Sequence, residues 1–380
     1  MEIRQTEFAS PADSLERLAP LAAIQPQLAL VFGAPAYFQD RTFTARLAQA
    51  LPAAALVGCS TAGEIGLGGV HQDHCVVTAV RFEGASIQVV STDLANMADS
   101  KAAGRRLAEQ LERTGLRALM VFGQGIRING SALIAGLTGV LGPGIPITGG
   151  LAGDNGAFVR TWTLGPAGVS ERAIVALGLG GEGLIFSHGS FGGWEPFGPA
   201  RRVTRCDGNI LFELDGAPAL GLYKRYLGAY AQDLPASGLL FPLAMLSEDR
   251  AHIGIIRTIL GIDETDGSLI LAGEINPGGY LQLMHASTDR LVDGAESAAQ
   301  AVLAMRGGSK RGLGVLVSCV GRKLVMGDRV EEEVDAVAAT LGATTRLTGF
   351  YSYGEISPAP PEGACGLHNQ TMTITFLGES

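Results

Sequence analysis

The stretch LALVFG, from Leu28 to Gly33, then a helical run from about Arg41 to Leu51, then ALVGCSTAGE, from Ala55 to Glu64, decides the fold. A short apolar run bounded by Gly reads as a strand buried on both faces. Two such strands joined by one helix read as a right-handed parallel crossover unit. The pattern returns twice, and internal similarity of this kind governs the whole reading. ALMVFG, Ala118 to Gly123, precedes a helix from about Ser131 to Leu141 and the closing PITGGLAGD, Pro146 to Asp154. Gly33 thus recurs as Gly123 and Gly63 as Gly153, the same displacement of 90 residues. LGVLVSCVGR, Leu313 to Arg322, precedes a helix from about Arg329 to Leu341 and the closing RLTGFYSYGE, Arg346 to Glu355.

Each copy ends in Gly plus a carboxylate: Glu64, Asp154 and Glu355. Each is succeeded by a further strand pattern, CVVTAVRF from Cys75, AFVRTWTL from Ala157 and TMTITFL from Thr371, read as hairpin partners. The fold class is therefore α/β, with mixed sheets flanked by helices and internally duplicated strand–helix–strand–Gly turn units in two modules. Other segments lie between the copies. Residues 172–191 read as two strands joined by a Gly-rich turn, Ala217 to Tyr230 as a helix, and Ile253 to Ile262 with Ser268 to Ala272 as a hairpin. Ser287 to Met305 reads as an Ala-rich amphipathic helix. The composition shift at DGNILFELDG, from Asp207, divides the chain into modules of residues 1–206 and 207–380.

Bulk properties narrow the function classes. The 380 residues are 47% apolar, and a formal charge of −9 repels phosphate backbones, so nucleic acid is not an expected partner. The N-terminus lacks a basic region leading into an apolar stretch, and the apolar runs are too short to cross a bilayer as helices. Five widely spaced Cys without a CxxC pair fit reduced thiols in a cytoplasmic chain with no membrane partner.

GCSTAGEI (58–65), TGGLAGD (148–154), LDGAPALGLYKRYLG (214–228) and GFYSYGEISP (349–358) resemble the hallmark segments of the FIST family, in order, over nearly the whole chain. The resemblance implies a FIST N-terminal module and then a FIST C-terminal module, in a non-enzymatic bacterial signal-transduction sensor of small ligands. Amino acids are the ligands proposed for some members. LHNQTMTITF (367–376) resembles the haem-containing branch, which implies haem as cofactor, nitric oxide as signal and a sensor histidine kinase as partner. The reading leaves room for a homo-oligomer.

Several residues could carry the chemistry. His368, in a loop before a strand, could offer imidazole to haem iron; the alternative is a hydrogen-bonded structural histidine. Arg322 or Arg127 could pair a propionate or carboxylate, against a carboxylate-paired or solvated Arg. Tyr351, Tyr353, Ser352, Ser60, Thr61 and Asn369 supply polar groups beside the bends. The three carboxylates could bind an ammonium group, or lock their own turns through backbone N–H groups. His71 and His74 of HQDH could hold a metal only with further ligands, while His188, His252 and His285 read as packed or half-exposed. Cys59 or Ser60, in a segment like a nucleophile elbow, suggests a hydrolase or transferase, but no helix pattern comes next and no His–acid pair is placed. Gly178, Gly180 and Gly183 match GxGxxG, yet a strand pattern stands where a dinucleotide site requires a helix.

Overall fold

The computed structural model describes residues 1–247, 249–250, 253–308, 311–359 and 363–380; His252 lies outside them. The first unit comprises β1 (Glu2–Phe8), α1 (Ala19–Ala23), β2 (Leu28–Gly33), α2 (Pro35–Gln39), α3 (Arg41–Ala50), β3 (Ala55–Ser60), β4 (Glu64–Gly66), β5 (Gly69–His71) and β6 (Cys75–Arg81). The second comprises β7 (Ser86–Asp93), α4 (Ser100–Gln110), β8 (Leu116–Gly123), α5 (Gly130–Leu141), β9 (Ile147–Leu151), β10 (Thr163–Gly165), β11 (Gly168–Ser170) and β12 (Ala173–Gly180). The third opens with β13 (Leu184–Phe191) and is then interrupted by an insertion. That insertion holds β14 (Glu195–Asp207), β15 (Ile210–Leu214), β16 (Ala217–Pro218), α6 (Ala219–Leu227), β17 (Leu243–Leu246), β18 (Ile253–Arg257), β19 (Ile259–Asp263), β20 (Ser268–Leu271) and β21 (Tyr280–His285). The third unit resumes with α7 (Thr288–Met305), β22 (Gly312–Cys319), α8 (Val320–Met326), α9 (Glu331–Leu341), β23 (Thr345–Ser352), β24 (Gly354–Pro358), β25 (Cys365–His368) and β26 (Met372–Glu379). The division expected at 206/207 lies at the end of β14, within the insertion.

Three six-stranded sheets share one order: β1-β6-β2-β3-β10-β11, β7-β12-β8-β9-β24-β25 and β13-β26-β22-β23-β4-β5. In each, the two crossover strands pair in parallel and the rest antiparallel. The last two strands of every sheet are a hairpin borrowed from another unit: β4–β5 joins the third unit's sheet, β24–β25 the second's and β10–β11 the first's. The chain therefore leaves its own sheet at each Gly-containing bend.

The run from Ala157 does not form the expected third strand of the second unit. Its residues 157–162 are irregular, β10 begins only at Thr163, and β12 takes the place beside β8. The run Ile253 to Ile262 divides into β18 and β19, which pair in different parts of the insertion's eight-stranded sheet.

The strands are apolar on both faces because both are covered. Leu30, Phe32, Met120, Phe122, Val315, Val317 and Phe350 meet in one interior between the three sheets. Phe32 lies 4.8 Å from Phe350 and 5.6 Å from Phe122, centroid to centroid. Each such ring contributes about 1.5–3 kcal/mol through burial alone. The outward faces are covered by the helices through three further apolar clusters.

Gly58, Gly149 and Gly349 explain one recurring feature of the motifs. A Cβ on them would lie 1.8, 2.1 and 1.9 Å from the carbonyl oxygens of Val31, Val121 and Leu316 on the neighbouring parallel strand. Only glycine admits that approach.

Candidate functional site

The three bends do come together at the C-terminal ends of the parallel strands, through direct hydrogen bonds with one another. Gly153 N donates to Ser60 O (2.8 Å), and Ser60 Oγ donates to Gly153 O (2.7 Å) while accepting from Trp162 N (2.9 Å). Asn155 N donates to Thr61 O (3.0 Å). Ala62 N donates to Tyr351 O, and Tyr351 N to Gly63 O, both at 2.8 Å. Tyr353 N donates to Leu151 O (3.1 Å), and its hydroxyl donates to Asp154 Oδ1. The bends thus lock one another, and the roomier grooves lie elsewhere. One of about 570 Å³ is lined by Met97, Gln124, Arg127, Arg160, Glu171 and Arg172 among others.

Strand register shows which residues are equivalent. Glu64 pairs with His71, Thr163 with Ser170 and Glu355 with His368, and each pair sits at the same height above its host sheet. The second unit's counterpart of Glu64 and Glu355 is therefore Thr163, not Asp154. The matching Gly-plus-acid spelling arises inside a longer loop, where Asp154 accepts from Phe158, Val159 and Arg160 N–H groups at 2.8 Å each.

Glu64 and Glu355 are fully buried and satisfied alike. Thr61 Oγ1 donates to Glu64 Oε1, and His74 N donates to Oε2 at 3.0 Å. Ser352 Oγ donates to Glu355 Oε1 at 2.5 Å, and Thr371 N and Oγ1 donate to Oε2 at 3.2 and 3.1 Å. Burial pushes Glu64 up to about 7 and Glu355 up to about 8, against the opposing pull of these hydrogen bonds. The carboxylates lock their own turns, the second of the two roles expected for them.

The groups expected to hold haem do not fit it as placed. His368 Nε2–H donates to Ser357 O at 2.9 Å, and burial lowers its pKa, so the ring is neutral. Arg322 is fully buried. Its Nε and NH2 bond Glu333 Oε2 at 3.1 and 2.7 Å, NH2 also bonds Leu291 O at 2.8 Å, and NH1 bonds Gly192 O. Tyr351 donates its hydroxyl to Glu333 Oε1 at 2.8 Å and is pushed well above its usual range by burial. Tyr353, pushed up likewise, stacks on Phe158 at 4.1 Å. These donors serve protein acceptors rather than converging on one chamber.

The nucleophile candidates are equally committed. Cys59 is fully buried and its thiol is driven well above the usual range, away from thiolate. Ser60 is buried with both hydrogen bonds taken up within the bends. His71 lies 3.2 Å from Glu7 Oε2, and among the described residues no cluster of three His, Cys, Asp or Glu side chains could hold a metal. Arg127 is exposed and lines the 570 Å³ groove.

Unsatisfied polar groups gather where the insertion meets the third hairpin. Asn369 is 1% exposed with Oδ1 unpartnered; Gln370 Oε1 and Ser357 Oγ are likewise buried without partners. Gln370 Nε2 donates to Thr258 Oγ1 (3.1 Å) and Leu239 O (3.0 Å) of the insertion. Beside them Arg257, 3% exposed, donates to Leu367 O and Glu274 O, both at 3.1 Å. It forms no ion pair among the described residues, and burial lowers it to about 10. Sequence reading missed Arg257 because nothing local marks an arginine inside a strand pattern as buried. It also passed over Lys323, which stands beside Arg322 in VGRK and reaches the first bend, donating to Ala62 O at 2.8 Å.

Among the described residues, no helix is long and apolar enough to cross a membrane. Two cyanuric acid hydrolase structures align over 99% and 100% of this chain and 99% of each of theirs. The first is from A. caulinodans; TM-scores are 0.38 and 0.34 and identity 11%. An uncharacterized protein of Methanocaldococcus jannaschii is 38% identical over 86 residues, 22% of this chain and 15% of that one. An uncharacterized protein of Mycobacterium tuberculosis is 27% identical over 217 residues, 54% of this chain. The chain spans 55% of that relative's length. The FIST N domain matches residues 27–217 and the FIST C domain residues 219–358, so the chain belongs to the FIST family.

Proposed function

We propose that this chain is a non-enzymatic sensor whose small polar ligand binds where the insertion meets the third hairpin. FIST domains are associated with sensing in signal transduction. The observation that carries the location is the set of buried polar atoms without partners there, Asn369 Oδ1, Gln370 Oε1 and Ser357 Oγ, beside the buried cation of Arg257. Unsatisfied buried groups cost about 1–3 kcal/mol each. A ligand that satisfies them stabilises the closed junction and shifts the population of insertion positions. A partner, a sensor histidine kinase in the finer reading, would detect that shift. Binding is favoured over catalysis because Cys59 and Ser60 are buried and committed to the bends.

The finer reading, haem with nitric oxide as signal, rests on the family likeness; His368 would first have to give up Ser357. One set of measurements tests both levels. Melting temperature with a panel of small acids, sugars, nucleotides and amines should rise for one class, by RT ln(1 + [L]/Kd) in stability. Arg257→Ala should weaken that response at least tenfold. No response in any class would remove the sensor reading. The absorption spectrum with haemin should lack a His368-dependent Soret band; such a band, lost in His368→Ala, would restore haem.

A further inference from the structure

The first strand of each unit, β1, β7 or β13, is a sheet edge, hydrogen-bonded to a strand on one side only. Phe32, Phe122 and Val317 hold one place on the first crossover strands, and pairing outward from them leads to Glu7, Ser91 and Ser190. Two residues earlier, Gln5, Val89 and His188 are therefore counterparts. Leu94 N donates to Arg172 O at 2.8 Å, which fixes the alternation along β7. Gln88 and Val90 bond β12, while the N–H and C=O groups of Ile87 and Val89 point away from it. Among the described residues no group bonds those four. Farther along, Ser91 O and Asp93 O are taken by Gln110 (3.3 Å) and Arg106 (2.8 Å).

Native edge strands are shielded, often by charge. β1 follows that rule. Its groove of about 800 Å³ is lined by Glu2, Arg4, Arg311, Asp335 and Arg346 among others, and Gln5 Nε2 spans it to Leu347 O at 3.0 Å. Arg17 NH1 covers Glu7 O, also at 3.0 Å. β7 departs from it. Ile87 and Val89 form one wall of a groove of about 740 Å³ whose other wall is α3, the start of β3 and the β10–β11 hairpin. Among the described residues that line it, Arg41 alone is charged; Ala45, Ala48, Leu56 and Val169 are typical of the rest. The strand itself, SIQVVSTD, carries no charge before Asp93. Arg41 is exposed and forms no ion pair among the described residues.

We infer that this groove docks one extended segment of a partner protein, added to the sheet as a strand beside β7. Ile87 and Val89 offer donors and acceptors at strand spacing, which an extended backbone matches and a compact apolar molecule does not. The edge stands inside the groove with α3 as the facing wall, so a single strand enters where the whole sheet of a second copy would meet the helix. The small side chains of Ala45 and Ala48 leave room for apolar side chains of the segment. Arg41, the unpaired cation of the groove, calls for a carboxylate on it. The groove shares no residue with the junction of the insertion and the third hairpin, so the inference goes beyond the sensor reading and does not depend on it.

The test selects random phage-displayed peptides on the full chain, with Ala48→Arg as counter-selection. Ala48 is exposed on α3 and arginine is a good helix former, so this variant should fold while filling the groove. Ala45→Arg does the same one turn away and covers the case in which Ala48→Arg does not fold. Selected sequences should alternate apolar residues and carry an Asp or Glu. A synthetic copy should bind the wild type, with Kd raised at least tenfold by Ala48→Arg and several-fold by Arg41→Ala. N-methylation of the alternate peptide amides that face β7 should abolish binding, whereas methylation of the other set should not. Amide exchange at Ile87 and Val89 should slow when the peptide binds. Selection that yields no peptide, equal binding by the two methylated forms, or unchanged exchange along β7 would overturn the inference. Sedimentation of the wild type as a dimer that Ala48→Arg dissolves would give the groove to a second copy, and overturn it as well.

Discussion

The first and third bends are built alike, whereas the second only looks alike in sequence. Glu64 and Glu355 each take a hydroxyl from three residues earlier and an amide from the residue just before the closing strand. The second unit puts Thr163 in that place, and its Asp154 caps a loop of its own. A Gly next to an acid is a local rhyme; equivalence is set by strand pairing. The first and third units differ in turn in the helix after their first crossover strand. α2 is seated by the buried rings of Tyr37 and Phe38, and α8 by the fully buried pair Arg322–Glu333.

That contrast fixes the largest expected effect. Glu333→Ala strands the Arg322 guanidinium and leaves Tyr351 and Ser318 without their acceptor. It should cost about 3–5 kcal/mol in urea unfolding. The shared glycines come next. Gly58→Ala, Gly149→Ala and Gly349→Ala should each cost about 1–3 kcal/mol or more through the clash with the neighbouring carbonyl. Equal penalties would affirm the three-unit equivalence; one harmless substitution would break it.

The smallest effect separates Glu64 from Glu355 by pH. A carboxyl whose pKa is raised on folding holds its proton where the unfolded chain has lost it, so stability falls as pH rises between the two values. For Glu355 that window runs from about 4.5 to about 8, and for Glu64 it ends near 7. Thermal melts from pH 5 to 8.5 should show Glu355→Gln overtaking the wild type towards the alkaline end, with Glu64→Gln doing so less. A flat difference across that range would mean that neither proton is retained.

Much of the architecture could be read from residue pattern alone. The crossover strands, their helices and the closing bends stand where LALVFG, ALMVFG and LGVLVSC placed them, because short apolar runs and Gly are local signals. That the bends meet was also legible, since parallel strands put their C-terminal ends on one side. The hairpin exchange was not, because pairing between distant segments leaves no local trace; nor was the longer loop that displaced Asp154. The roles of Arg322 and His368 were set by burial and partners rather than motif. Asn369 was legible as a polar residue near the bends, but that its Oδ1 is buried without a partner shows only once the hairpin is packed in the fold.

The traded hairpins have a consequence for assembly. Because every sheet is finished by a segment that another third of the chain supplies, no third can close its own edge. Folding must then be a collective event, with long loops drawn shut before pairing can stabilise them. Shortening the chain by one repeat would leave an open seam on one survivor and an orphaned ribbon on the other.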